Sequence, residues 1–258
     1  SAAYFQKLDH GNTGIMRDTI DINSNDNALF ITSQCNNRCV MCCQPPLLRN
    51  DLDGYFQKNK ALIDSAPREL RSLGITGGEP TLLGDRLFEL LRHIRTKLPE
   101  TEIHLLTNGR AFADKEYARK LAECGEGKIL LGVPLHADSA GDHDAITQVK
   151  GSFEETMLGL YNLGRYDIGI ELRVVITKMN YLRLPKLPDF IYRNLPFVEF
   201  ISLMGLEYTG YTIKNRETVW IDPMDYQAEL TQAVLELRDW HMDVSIFNLP
   251  RCVLPEAL

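Results

Sequence analysis

The sequence predicts an α/β fold built on a parallel sheet. Two observations carry the prediction. Short apolar runs alternate six times with longer stretches whose apolar residues recur at helical spacing, so the chain reads as successive βα units. The breaks between these stretches carry the residues that start and stop helices, such as Asp, Pro and Gly. No internal repeat, low-complexity tract or linker interrupts the alternation. Residues 28–258 therefore read as one domain, with 1–27 as a lead-in.

The lead-in is polar and rich in Asn, Asp and Gly, with only Ile15, Met16, Ile20 and Ile22 giving an apolar pattern. A first strand is expected over 28–32 and a helix over 55–66. The second strand, 72–76, delivers Gly77-Gly78-Glu79-Pro80. Residues 85–98 form an amphipathic helix on Leu87, Leu90, Leu91, Ile94 and Leu98, stopped by Pro99. The third strand, 102–106, ends in Thr107-Asn108-Gly109. A helix over 114–124 closes at Gly125. The fourth strand, 129–135, ends near His136. Ser152-x-x-Glu155 reads as a capping box that opens a helix running to Leu163 and stopping at Gly164. The fifth strand, 169–177, contains Arg173. A short helix over 188–194 leads to the sixth strand, 198–204. Asp222 then caps Pro223 at the start of a helix reaching 242, and 244–247 reads as a last short strand.

The chemistry concentrates in Cys35-Asn36-Asn37-Arg38-Cys39-Val40-Met41-Cys42, a C-x3-C-x2-C spacing on a loop leaving the first strand. Gln44-Pro45-Pro46 follow, and proline continues neither a helix nor a central strand. A loop this short can wrap three thiolates round one face of an iron–sulfur cube. Such clusters usually take four Cys ligands, so three leave one iron open for a non-protein ligand. Two other uses of the thiols stand beside this one. They could be buried structural cysteines. They could hold zinc with Cys43 as a fourth sulfur, although zinc sites usually pair two separated C-x2-C units. A disulfide framework suits short secreted chains rather than 258 residues with six Cys.

C-x3-C-x2-C after a first strand, followed by Gly77-Gly78-Glu79-Pro80 after a second, resembles the radical S-adenosylmethionine (SAM) superfamily over residues 28–210. The resemblance implies a partial (β/α)6 barrel of TIM type, open on one side, with its site at the carboxyl ends of the strands. It implies two cofactors, a [4Fe–4S] cluster and SAM. Cys35, Cys39 and Cys42 would hold three irons, and the reduced cluster would cleave SAM to methionine and a 5′-deoxyadenosyl radical. Met41 stands where the superfamily often has a large residue. Gly77, Gly78 and Glu79 would bind the SAM amino group. Asn108 would meet its ribose or carboxylate, Arg173 would pair with its carboxylate, and Leu206 and Glu207 would meet adenine. His136 and Asp138, after the fourth strand, would orient substrate or move a proton. Cys43 is either a spare thiol or a substrate-facing group, and Cys124 is a buried thiol. An electron donor such as a flavodoxin or ferredoxin is the expected partner.

Residues 31–46, Ile-Thr-Ser-Gln-Cys-Asn-Asn-Arg-Cys-Val-Met-Cys-Cys-Gln-Pro-Pro, and 248–255, Asn-Leu-Pro-Arg-Cys-Val-Leu-Pro, are similar to the maturases of the His-Xaa-Ser peptide system. That likeness implies a ribosomally made precursor peptide as substrate. Members carry further cysteines beyond this point, whereas only Cys252 follows here. A radical enzyme acting on a nucleoside or amino acid is a second reading. A non-catalytic iron–sulfur or zinc protein is a third, and Gly77-Gly78-Glu79-Pro80 argues against it, because a plain metal site has no use for an ammonium acceptor. The net charge, 28 − 35 = −7, argues against a nucleic-acid partner. No apolar run approaches the roughly 20 residues of a membrane span, and no signal peptide is visible at the start. Unpaired thiols and an oxygen-sensitive cluster fit a reducing cytoplasm.

Overall fold

Among the described residues seven strands lie side by side in one sheet, all parallel, in the order in which they occur in the chain. They are β1 (Ala28–Phe30), β2 (Ser72–Thr76), β3 (Glu102–Leu106), β4 (Ile129–Pro134), β5 (Gly169–Val175), β6 (Phe200–Met204) and β7 (Asp243–Phe247). The computed structural model describes residues 19–24, 26–125, 127–255 and 258. Most of the expected lead-in, with Ile15 and Met16, lies outside the described residues; Ile20 packs against the core. The helices are α1 (Leu52–Ser65), α2 (Asp85–Lys97), α3 (Lys115–Gly125), α4 (Ala140–Thr147), α5 (Ser152–Gly164), α6 (Leu187–Asn194), α7 (Tyr211–Lys214), α8 (Arg216–Val219) and α9 (Gln227–Asp239).

Side chains alternate across a strand, and here the two faces have different chemistry. One set, Leu73, Ile75, Ile103, Leu105, Leu131, Val133, Leu172 and Leu203, is fully buried in a single apolar core with the inward stripes of the helices. Burying each such side chain contributes about 2 kcal/mol. The other set contains Gly74, His104, Gly132, Glu171, Arg173 and Ser202. Midway along the strands that inner face is polar and small-residued, unlike the packed interior of a closed barrel. At its carboxyl end Phe30, Thr76, Leu106, Pro134, Arg173, Val175, Met204 and Phe247 all remain partly exposed. Among the described residues β1 and β7 are the two edges, so the sheet forms an open bowl rather than a closed ring. This is the partial barrel expected, with the last short strand joining the sheet as its seventh member.

Several local expectations need correction. The expected strand 28–32 pairs only through Phe30, and α1 starts at Leu52 rather than 55. The long last helix begins as a 3-10 turn, Pro223–Tyr226, with Asp222 accepting from the Met224 N–H at 2.9 Å, and it ends at Asp239 rather than 242. The capping box at Ser152 does not form. Ser152 is the first helical residue of α5, its hydroxyl donates to Asp144 at 2.8 Å, and the N-cap is Gly151. Asp144 of α4 does the capping across the loop, accepting from the N–H of Gly151 at 2.6 Å and of Phe153 at 2.9 Å. Helix α4 was not expected at all, although Ser139-x-x-Asp142 signals it: Ser139 Oγ accepts from the Asp142 N–H at 3.4 Å.

Asp144→Ala is expected to cost about 2 kcal/mol, the upper end for loss of a helix cap. Burial pushes the Asp144 carboxyl up, but the Phe153 and Gly151 N–H groups, the Ser152 hydroxyl and His143 outweigh it, so the net shift is downward. A depressed carboxyl stabilises the fold above its ordinary value, near 3.9, and loses that contribution as pH falls through the folded value. Urea melts of wild type and variant should therefore differ at pH 7 and converge on acidification. Equal midpoints at pH 7 would show the cap to be idle.

Candidate active site

The loop between β1 and α1 carries the three thiols, and other elements hold its backbone from several sides. Ahead of the thiols, Gly78 N donates to Thr32 O at 2.7 Å and Glu79 N to Gln34 O at 2.8 Å. The turn after β2 approaches so closely that a Cβ at Gly78 would lie 1.9 Å from Gln34 O, and at Gly77 (φ 138°) 2.7 Å from Thr32 O. Only glycine fits there. Asp51, just before α1, accepts from the hydroxyls of Thr32 and Ser33. Within the loop, Arg38 N and Val40 N donate to Thr147 O and Ile146 O at the end of α4, at 3.0 and 2.9 Å. From α7 and the residue after it, Tyr211 N donates to Cys42 O at 2.8 Å, and the Asn215 amide to Val40 O at 2.7 Å.

Glu79 is the buried junction of this arrangement, 0% exposed. Its Oε1 accepts from Thr81 N (3.0 Å), Thr81 Oγ1 (2.7 Å) and Thr107 Oγ1 (2.7 Å), and its Oε2 from Asn108 N (2.7 Å). The carboxylate therefore ties the end of β2 to the end of β3. This corrects the expectation that its carboxylate receives the SAM ammonium: four donors within the chain already surround it. The acceptors left at this turn are the carbonyls of Gly77 and Gly78, which take no hydrogen bond among the described residues.

Asn108 stands beside Cys35. Its amide donates to Asn36 Oδ1 at 2.6 Å, and its Oδ1 accepts from Arg110 N at 3.1 Å. Arg110, not foreseen from sequence, clamps the loop: Nη1 donates to Asn36 O (3.0 Å) and Asn37 Oδ1 (2.7 Å), while Nε pairs with Glu155 (2.6 Å). Its only sequence signal was a cation just after Thr107-Asn108-Gly109.

The thiols suit a metal cluster. Burial pushes Cys35 up to about 11, against the Asn37 N–H that its sulfur accepts at 3.3 Å. Cys39 and Cys42 are pushed up to about 12, first by burial and then by neighbouring thiols. Three partly buried thiols that repel one another as thiolates, with Arg110 near Cys35 as cation, would be stabilised by positive charge of the kind a metal supplies. Cys43 is exposed and carries the influence of Glu207 and Arg173. Cys124 is buried in α3, as expected, and Cys252 is exposed.

Met41 is buried in a small apolar cluster with Ile146 and Val219, against which Leu206 packs. Glu207 is partly exposed and accepts from the Asn248 amide at 3.0 Å. Two expectations fail by burial and pairing. His136 is 4% exposed and lies beneath α4, its ring 5.6 Å from that of His143. Burial, then His143, pushes it down to about 3. A neutral, sealed imidazole does not orient substrate or carry its proton. Asp138 is engaged by Arg183, which donates to both its carboxylate oxygens at 2.6 and 2.8 Å. Arg173 pairs with Glu171, Nη1 lying 3.1 and 3.2 Å from the two oxygens.

The profile of the Radical SAM superfamily matches residues 29–189 of this chain. Fe-coproporphyrin III synthase of Methanosarcina barkeri is 33% identical over 181 residues, 67% of this chain and 43% of that protein. The probable GTP 3′,8-cyclase of Thermococcus kodakarensis is 29% identical over 154 residues, 58% of this chain and 47% of that protein. Among solved structures, Streptococcus suis SuiB bound to its precursor peptide SuiA matches with a TM-score of 0.64 at 18% identity, over 86% of this chain and 48% of that one. The SuiB match shows a shared fold alone. The chain spans about half the length of these relatives.

Glu79→Ala is expected to lower stability by about 3 kcal/mol, because it strands several buried donors at once. Urea denaturation checks this, and a variant as stable as wild type would show that the junction carries no weight. Thr107→Val, which removes one of the four donors to Glu79 and the acceptor of the Gly109 N–H, should cost less.

Proposed function

Because the chain belongs to the radical SAM superfamily, we propose that it cleaves SAM reductively and modifies a ribosomally made precursor peptide by hydrogen abstraction. The observation that supports this reading is the three-thiol loop, pinned at the carboxyl end of the sheet over an open bowl. When bound, a [4Fe–4S] cluster would supply one electron for reductive cleavage of the SAM carbon–sulfur bond to methionine and a 5′-deoxyadenosyl radical. Cys35, Cys39 and Cys42 would hold three irons. The carbonyls of Gly77 and Gly78 would accept from the SAM ammonium, and Asn108 would border the sugar or carboxylate. Leu206, backed by Met41, would give adenine an apolar wall, with Glu207 at its rim. Hydrogen abstraction needs no protein base to begin it, which agrees with the sealed state of His136 and the paired state of Asp138.

The peptide is the finer part of the proposal. The inner face reaches solvent at the carboxyl end of every strand, so a chain can lie across it. Residues 31–46 and 248–255 are similar to peptide maturases, and SuiB, which shares the fold, holds a precursor peptide. A second reading, a small-molecule substrate, draws on the relatives of higher sequence identity, named for Fe-coproporphyrin III and GTP. The expected electron donor is a flavodoxin or ferredoxin, and the expected setting the cytoplasm. No helix among the described residues is long and apolar enough to cross a membrane.

Protein reconstituted without oxygen should hold about four irons and four sulfides per chain. Cys35→Ala, Cys39→Ala or Cys42→Ala should abolish this, and Cys124→Ala should not. Full iron retention in the Cys39→Ala protein would sink the cluster assignment. For the substrate, a precursor peptide deuterated at the modified position should pass deuterium into 5′-deoxyadenosine. If peptides leave SAM cleavage unchanged while a nucleotide or tetrapyrrole accelerates it, the small-molecule reading replaces the peptide.

A further inference from the structure

The thiol loop has a second side, turned away from the Cys39 sulfur, and that side is positively charged. Where the loop meets the end of α4 and helix α7, Arg38, Val40, Gln148, Tyr211, Lys214 and Asn215 line a cavity of about 300 Å³. The N–H groups of Arg38 and Val40 both point to the end of α4, as those of alternate residues in an extended chain do. Alternate side chains share a face, so Arg38 and Val40 lie on one side of the backbone and Cys39 on the other. The cavity agrees, since Cys39 does not line it.

Arg38, Gln148 and Lys214 are exposed, and so is Lys150, two residues beyond Gln148. Residues 36–43, 147–151 and 211–217 supply the lining, and their charged members are Arg38, Lys150, Lys214, Arg216 and Glu217. Arg216 and Glu217 pair with each other at 3.0 Å. Arg38, Lys150 and Lys214 pair with no carboxylate among the described residues. Three uncompensated cations therefore collect behind the thiols, in a chain whose net charge is −7.

Reduction of a cluster held by this loop needs a donor close to it. With SAM and substrate in the bowl, the front is closed to a second protein. The cavity side stays open, and Arg38 and Val40 flank a cluster ligand directly in the chain. An acidic protein is repelled by the chain as a whole and drawn to this patch, which is how a local field steers a partner and fixes its orientation.

We infer that this face docks an acidic protein that carries single electrons, with Arg38 and Lys214 at the centre of the contact and Lys150 at its margin. The inference rests on the radical SAM reading and adds to it the surface through which the electron arrives. In the transfer the carrier is oxidised by one electron and the cluster is reduced by one. No bond forms or breaks and no proton has to move.

The test uses cluster-loaded, SAM-saturated protein and two acidic probes, a bacterial flavodoxin and a plant-type ferredoxin. Calorimetry gives the affinity of each oxidised carrier, and anaerobic stopped flow gives the rate at which each reduced carrier is reoxidised. Both are read at about 0.01 M and about 1 M salt, where the Debye length is about 30 and about 3 Å. At least one carrier should bind wild type about tenfold or more tightly at low salt than at high. Arg38→Gln with Lys214→Gln should lose about tenfold in affinity and rate at low salt and match wild type at high salt. Its iron content should be unchanged, and reduction by the small cation methyl viologen radical should change less than about twofold. If Arg38→Gln disturbs the thiol loop, Lys214→Glu leaves that loop intact, changes the charge by the same amount and should give the same loss. Neither carrier binding wild type more tightly at low salt, carrier affinity unchanged in the variants, or an equal slowing with methyl viologen would each overturn the inference. Failure of wild type itself to hold a cluster or bind SAM is a different result and falls on the radical SAM reading.

Discussion

Everything at this site depends on how the backbone of residues 32–43 is held. Three thiols can serve three corners of one cluster only if the loop between them keeps a fixed shape, and that loop has almost no secondary structure of its own. Its rigidity is borrowed. The turn after β2 grips its start, the end of α4 and α7 take its middle, and Arg110 closes over Asn36 and Asn37. Gly210 shows how close the last approach is: its φ of 54° needs glycine, and a Cβ would lie 2.3 Å from Cys42 O. The helices α4 and α7 are thus supports for a loop far away in sequence.

The same constraint explains the buried carboxylate of Glu79. Strand ends in a parallel sheet leave main-chain N–H groups pointing past the last pair, and these must find acceptors. Glu79 supplies them for both β2 and β3 and so fixes where the glycine turn stands relative to the loop. A charge is costly to bury without such donors, so the residue and its four partners stand or fall together.

The inner face of the sheet follows a different logic from the outer. Against the helices, leucine, isoleucine and valine fill space. On the bowl side, Gly74 and Gly132 give room and His104, Glu171, Arg173 and Ser202 form a connected polar group. A closed barrel would have to pack that face with apolar side chains. An open one can leave it for a substrate.

How much was legible beforehand divides along the same line. The strands were legible as short apolar runs because that signal is local and is imposed by burial in the sheet; β2 and β3 match the expectation residue for residue. The spacing of Cys35, Cys39 and Cys42 is likewise local, since one short loop must present all three sulfurs. What tertiary structure decided was the occupation of side chains whose partners lie far away in sequence. Glu79 looked free for an ammonium until Thr107 and Asn108 surrounded it, 28 and 29 residues on. His136 looked placed at the mouth until α4 and its His143 covered it. Asp138 was taken by Arg183, 45 residues away. Ser152 lost its capping role to Asp144 because a carboxylate reached the same N–H groups across a loop. By itself the sequence determined which residues are the candidate metal ligands and which segments form the sheet. Burial and pairing, which depend on distance in space, determined which polar groups remain available for a ligand.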